Sequence, residues 1–150
     1  MVRVQTEDFD LGLEINHLRT GQSDIGAVAA FLGTVRDIHH DSLISTMELE
    51  HYPGMTERAL EEIEAKARAR WALNAVTIIH RVGALQPCDQ IVMVAVASRH
   101  RHAAFEACEY IMDYLKTRAP FWKKETTPQG AHWVDARESD FDAAARWGED

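Results

Sequence analysis

The chain has 150 residues, 46% of them hydrophobic, and a formal charge of -8, which suits one domain spanning residues 1–150 that buries a core without disulfide or metal staples. An acidic whole argues against nucleic acid or an anionic membrane as the main partner, because both need a broad basic field; no apolar run approaches the ~20 residues of a membrane span, and Met1 to Glu7 carries no apolar signal segment, so a cytoplasmic location is expected. Cys88 and Cys108 are too few for a disulfide framework and lack zinc or redox spacing.

In chain order, Val2 to Thr6 alternates as a short strand and Leu11 to Leu18 reads as a helix. Gly26 to Val35 has the small and apolar residues of a buried strand, and Asp37 to Ser42 follows as a polar loop. Leu43 to His51 alternates again. Pro53-Gly54 turns the chain into a helix from Met55 to about Trp71, with Leu60, Ile63 and Ala67 on one face. The β-branched runs Ala75 to Val82 and Ile91 to Ala97 predict strands of a central sheet. Phe105, Cys108, Met112 and Leu115 recur at helical spacing, which predicts an amphipathic helix from about Arg101 to Thr117, ended by Pro120. An extended segment follows, then a short strand at His132 to Val134 and a final acidic helix. Strands interspersed with a few helices indicate an α+β or mixed α/β fold.

The polar features gather late in the chain. Residues 99 to 124 hold six cations (Arg99, Arg101, Lys116, Arg118, Lys123, Lys124) against three acids, a basic island suited to a small phosphate or carboxylate. Lys116 and Arg118 fall in the last turn of the basic helix, where two readings stand. They complement the helix dipole, for roughly 0.3–1 kcal/mol each, or they join an anion site built with residues beyond Pro120. Phe121-Trp122-Lys123-Lys124 favours the second, because side chains of an extended segment alternate and one of the two lysines can join Lys116 beside an apolar wall.

At the other end of the same helix stands Ser98-Arg99-His100-Arg101-His102, with Ser98 as candidate N-cap and free backbone N–H groups that favour anions. Arg36 is a third cation at an element end. From Arg101 to Lys116 is about 15 residues, or roughly 23 Å along a helix. One small substrate cannot reach both ends. If both serve one substrate, a neighbouring subunit supplies the helix start, and a two-fold dimer forms two equivalent composite sites. His39, His40 and His51 have no ligand spacing with cysteines or carboxylates, so neither a metal nor another cofactor is expected.

Gly33-Thr34-Val35-Arg36, Leu49-Glu50-His51-Tyr52-Pro53-Gly54-Met55, His80-Arg81-Val82-Gly83, Ser98-Arg99-His100-Arg101, Met112-Asp113-Tyr114-Leu115-Lys116 and Ala119-Pro120-Phe121-Trp122-Lys123-Lys124-Glu125 together resemble the large, catalytic subunit of molybdopterin synthase, the MoaE family. The resemblance covers roughly Gly26 to Trp133 and rests on the ordered combination, not on any one motif. It implies an α/β hammerhead with a central mixed sheet, flanking helices and a small antiparallel subdomain. It also implies a sulfurtransferase of molybdenum cofactor biosynthesis that converts cyclic pyranopterin monophosphate into molybdopterin. Both dithiolene sulfurs come from the thiocarboxylated Gly-Gly end of a small ubiquitin-like subunit, and the assembly is a homodimer of large subunits within a heterotetramer.

By motif position the resemblance makes Lys116 and Lys123 catalytic. Arg36, His100 and Arg101 become substrate or phosphate ligands, the latter two from the second subunit, while Thr34, Val35, Lys124 and Glu125 line the pocket and Arg137 adds a cation. Lys116 is assigned proton transfer or transient covalency and Lys123 electrostatic positioning. Cys88 stands where the family commonly has glycine, which predicts an altered turn, and Thr34 stands where some members carry lysine. Two other classes compete: a non-catalytic adaptor that captures a ubiquitin-like tail, and a regulatory domain that binds a phosphate ligand.

Overall fold

Eight of the nine residues of the Gln90–Ser98 strand are apolar or small, which is the composition of a strand covered on both faces. In the computed structural model, which describes residues 1–39, 42–43, 45–134 and 138–148, that strand is the hub of the larger sheet. The elements run β1 (Val2–Gln5), α1 (Leu11–Arg19), β2 (Ala27–Thr34), β3 (Ile38–His39), β4 (Ser42–Leu43), β5 (Thr46–His51), α2 (Met55–Arg70), β6 (Ala75–Arg81), β7 (Gly83–Leu85), β8 (Gln90–Ser98), α3 (Arg101–Arg118), β9 (Phe121–Thr127), β10 (Gly130–Val134) and α4 (Glu138–Ala145).

The larger sheet has the order β1-β6-β8-β2 and is mixed: β1 is parallel to β6, and the other two pairings are antiparallel. Side chains alternate along β8. Val92, Val94 and Val96 face α2 and α3, where Leu60, Ile63, Ala67, Tyr110 and Ile111 complete the main core. Met93, Ala95 and Ala97 face the other way, against Phe9 and Leu18 around α1. A second sheet, β10-β9-β5-β7, is antiparallel throughout. Val35, Met47, Leu49, Val82 and Leu85 form its apolar side, with Val4, Ile91 and Phe121 from the joint between the sheets packed against them. A mixed central sheet, flanking helices and a small antiparallel unit are the architecture expected from the sequence.

Several local expectations change. The segment from Asp37 to Ser42 is not all loop, because β3 and β4 pair as a two-stranded ribbon; His40 lies outside the described residues. β5 begins at Thr46 rather than Leu43. β2 is an edge strand, so Phe31 and Leu32 stay 40% and 37% exposed where a fully buried strand was expected. Phe105 is 63% exposed. Cys108, Met112 and Leu115 are buried as their spacing predicts, and Ala104 takes the place of Phe105 in the first turn of the buried stripe, which Ala107, Tyr110, Ile111 and Tyr114 widen. Among the described residues no helix is long and apolar enough to cross a membrane.

Gly26 ties the start of β2 to the end of β8. Its N–H donates to the Ser98 carbonyl at 3.0 Å, and a Cβ at this position would lie 2.2 Å from the Arg99 carbonyl oxygen. The backbones approach so closely that a side chain would push the Arg99-His100-Arg101 segment aside. Gly26→Ala is expected to cost about 1–3 kcal/mol, seen as a melting temperature lower by roughly 2–8 °C; an unchanged melting temperature would show that the segment yields freely.

Candidate active site

The two ends of α3 hold the cations singled out in the sequence. At its start the N-cap is His100, which makes no side-chain capping bond. Ser98 is not the cap: it is buried at the end of β8, and its hydroxyl donates to the Ala72 carbonyl at 3.0 Å. Arg99, His100 and Arg101 are therefore left exposed on a helix start whose N–H groups point outward.

At the far end Lys116 is exposed in the last turn. Arg118 lies over the Tyr114 ring at 4.2 Å, a cation–π contact that accounts for this cation within the helix itself. The chain then turns at Ala119 and Pro120 into β9, whose register with β5 sets Phe121 opposite His51, Lys123 opposite Leu49 and Glu125 opposite Met47. Directly opposed residues share a face, so Phe121, Lys123 and Glu125 project to the side that carries Met47 and Leu49. Lys124 projects to the other side, with its ammonium 5.7 Å from the Trp133 ring centre. Lys123 and Lys124 are thus divided by the strand pleat.

The inner side of β9 is chemically unusual. Glu125 is only 2% exposed, and its carboxylate lies 3.7 Å from the Lys123 ammonium. A buried carboxylate needs such a partner, and the pair fixes Lys123 at the edge of an apolar wall. Next to it the Phe121 ring stacks on His80 of β6, with ring centres 3.7 Å apart and planes 16° from parallel. His80 Nδ1–H donates to the Arg81 carbonyl at 2.7 Å. Burial lowers the His80 pKa to about 4, against the opposing pull of that hydrogen bond, and the positive charge of Lys116 and His51 lowers it further. The Lys116 charge therefore acts on the same buried ring that packs against the base of the Lys123 strand. His51 Nε2 lies 3.7 Å from Glu57.

Sequence reasoning singled out neither His80 nor Phe121 as a site residue. A lone histidine at the end of the apolar run Ala-Val-Thr-Ile-Ile-His was the available signal. Because its folded-state pKa lies below the ordinary 6.5, the unfolded chain takes up this proton first, so stability falls as pH drops from 6.5 toward 4. The share belonging to His80 is about 3 kcal/mol at the acid end. Denaturant melts across that window should show the loss in the wild type and show it diminished in His80→Gln.

The remaining expected residues divide by position. Thr34 is exposed as the last residue of β2, paired with Gln90 at the start of β8, and Arg36 is exposed just past it. Val35 is 3% exposed within the apolar side of the second sheet, so its side chain packs in the core instead of lining a cleft. Its backbone is held by Val35 N–H to the Asp89 carbonyl and Cys88 N–H to the Val35 carbonyl, both at 2.9 Å. Cys88 has φ 77°, alone among the described non-glycine residues in being positive, in keeping with a turn where glycine would sit without strain. Arg137 lies outside the described residues.

The direction of the elements separates the groups. β8 ends at Ser98, α3 starts at Arg101 and packs back over the sheet, with the Cys108 thiol donating to the Val94 carbonyl of mid-β8 at 3.7 Å. Arg36 and Lys116 are consequently at the end of the sheet where β8 begins, and His100 and Arg101 are at the end where it finishes. Within one chain, Lys123 and Glu125 pair on the face of β9 that also carries Phe121, which stacks on His80, and Lys116 acts electrostatically on that ring; His100 and Arg101 are roughly 23 Å from Lys116 along the helix.

The comparisons with known proteins agree with this architecture. The family model described as MoaE protein matches residues 4–118. A molybdopterin synthase catalytic subunit from Ralstonia nicotianae is 65% identical over 147 residues, covering 98% of this chain and 84% of the relative. Among solved structures, a molybdopterin biosynthesis MoaE protein from Burkholderia ambifaria is 59% identical with a TM-score of 0.86, covering 100% of this chain and 99% of the other. Molybdopterin synthase from Staphylococcus aureus is 32% identical with a TM-score of 0.81, covering 87% of this chain and 94% of the other. Since the family match over residues 4–118 coincides with sequence identity and a shared fold over nearly the whole length, the chain belongs to the MoaE family.

Proposed function

We infer that this protein, working as one domain, carries out the catalytic large-subunit reaction of molybdopterin synthase. It converts cyclic pyranopterin monophosphate into molybdopterin with two sulfurs taken from the thiocarboxylated tail of a small ubiquitin-like subunit. The observation that carries this reading is the Lys123–Glu125 pair at 3.7 Å on the inner face of β9, beside a buried ring that feels the charge of Lys116. A thiocarboxylate is an anion, and its acyl carbon passes through a tetrahedral oxyanion when sulfur leaves. A lysine paired with a buried carboxylate and fixed on a strand stabilises that charge where it develops. Lys116, exposed on the last turn of a helix, has the chemistry to move a proton or to attack the acyl carbon as an amine.

The phosphate end of the substrate requires cations that this protomer's pocket does not bring together. His100 and Arg101 supply them from a second copy in the reading favoured here, with Arg36 contributed from the Lys116 end. Exposed Phe31 and Leu32 on edge strand β2 and exposed Phe105 on α3, one turn from Arg101, give that second copy an apolar surface beside the motif it contributes. A cytoplasmic location belongs to the same reading.

The test mixes this protein with cyclic pyranopterin monophosphate and a thiocarboxylated small subunit and follows the dithiolene product. Product that depends on the thiocarboxylated subunit supports the inference. A folded protein that binds the small subunit and yields no product supports the adaptor class, and capture of the pterin phosphate alone supports the regulatory class.

A further inference from the structure

Thr56 is a fully buried polar residue that follows a run, Tyr52 to Met55, exposed throughout. It comes directly after the Leu-Glu-His-Tyr-Pro-Gly-Met motif, in the first turn of α2. A hydroxyl has one proton to donate and lone pairs to accept with, and here both capacities are used. Oγ1 accepts from the Tyr52 N–H at 2.9 Å and donates to the Pro120 carbonyl at 3.0 Å, a contact between residues 64 apart in the chain. The Thr56 N–H returns a bond to the Tyr52 carbonyl at 2.9 Å, so the hydroxyl is anchored on its own side of the contact. Packing alone would be served by valine, which has the same branched shape; what threonine adds is the pair of hydrogen bonds.

The far end of this tie is the turn between the two lysines, since Pro120 lies after Lys116 in the last turn of α3 and before Lys123 on β9. Ala119 is already extended, and the Phe121 N–H donates back to the Ala119 carbonyl at 2.9 Å, which closes a three-residue turn around Pro120. The proline ring fixes φ within that turn. The Pro120 carbonyl and the Phe121 N–H belong to one rigid peptide plane, so Thr56 and Ala119 hold that plane from its two edges. From Phe121 onward β9 is fixed by its ladder to β5, and the body of α3 is fixed by the main core. The joint between them decides how one lysine is placed against the other. We propose that Thr56 is a positioning residue for this lysine pair, its hydroxyl fixing the Pro120–Phe121 peptide and through it the placement of Lys123 relative to the helix end that carries Lys116. The assignment rests on the reaction inferred above. It gives the Leu-Glu-His-Tyr-Pro-Gly-Met motif a part in that reaction, because its turn delivers the following threonine to the joint.

Two variants separate this from a packing role. Thr56→Val keeps the branched shape and removes the hydroxyl; Thr56→Ser keeps the hydroxyl and removes a methyl group. At a temperature where both are folded, Thr56→Val should lower kcat about 10- to 100-fold, the range for misplaced reacting groups, with KM for the small subunit unchanged. Thr56→Ser should keep most of the activity despite a lower melting temperature. Activity that follows the filled volume, with serine the worse variant, would overturn the proposal. The effect must also run through the lysines: in a Lys123→Ala background Thr56→Val should cost little more, because the placement it spoils is already without use. An equal fold-loss in that background would mark a general structural role and overturn the proposal. If valine prevents folding, Thr56→Ala serves as the hydroxyl-free variant in each comparison. Backbone 13C and 15N spectra give a readout that needs no turnover. The Pro120 carbonyl and the Phe121 and Lys123 amides should shift in the hydroxyl-free variant and stay near their wild-type positions in Thr56→Ser; unmoved Phe121 and Lys123 amides in the hydroxyl-free variant would overturn the proposal. A wild type that makes no product defeats the inferred reaction, and the spectra still decide whether Thr56 sets the turn.

Discussion

Lys116→Ala is expected to lower dithiolene formation by about 10²-fold or more, the scale set by removal of a group that acts on the transition state, while leaving folding intact. The side chain is exposed on the last turn of α3, and truncation of an exposed side chain outside the core usually changes stability by no more than about 0.5 kcal/mol. Loss of turnover with an unchanged melting temperature would therefore assign the defect to chemistry. Lys116→Arg sharpens the test. A guanidinium keeps the positive charge and cannot be deprotonated under ordinary conditions, so proton transfer or amine attack is lost while anion attraction remains. Both variants should be nearly inactive in single-turnover measurements with saturating thiocarboxylated subunit. Near wild-type turnover in Lys116→Arg would transfer the chemical role to Lys123 and leave Lys116 as an electrostatic contact.

The second large effect is a rescue. If each site combines Lys116 of one protomer with His100 and Arg101 of the other, Lys116→Ala and Arg101→Ala are each inactive alone, and a mixed dimer contains one site with both defects and one with neither. Random exchange makes half the dimers mixed, so activity should return to about a quarter of the wild-type value per protomer. Denaturing and refolding the two variants together, against each refolded alone, measures this directly. No recovery in verified mixed dimers would mean that both residues act within one chain or that Arg101 is dispensable, and the composite site would fall.

How much of this was legible in the sequence depends on how local the determining forces are. Helix α2 starts where Pro53-Gly54 said it would, because a turn followed by good helix formers is a local signal. The continuous apolar run of β8 foretold two covered faces. The α3 stripe was legible from Cys108 through Met112 to Leu115, all buried, but not in its first turn: small Ala104 sits against the sheet and Phe105 is left outside, a choice that only the partner surfaces make. Ser98 had the chemistry of a cap, yet β8 runs on to include it and the Ala72 carbonyl takes its hydroxyl.

In the site, alternation past Pro120 correctly divided Lys123 from Lys124, but which lysine faces inward depends on pairing with β5, a long-range register. Motif resemblance grouped Val35 with the pocket although its side chain is core, since a motif records neighbours in sequence and not the direction each side chain takes. His80 remained silent for a related reason. Its burial and its stacked partner from β9 are set by residues far from it in the chain.

If the two ends of helix α3, unbroken from Arg101 to Arg118, serve one composite site, the helix works as a ruler. Adding or deleting a single residue within it would turn Lys116 by about 100° and shift it by about 1.5 Å relative to His100, and two-fold symmetry would copy that error into both pockets. Loops at the β3–β4 ribbon or between α1 and β2 can change length without touching either end of the ruler. Length variation among active members should therefore collect in those connections, while the span between the His100-Arg101 pair and Lys116 stays constant to the residue.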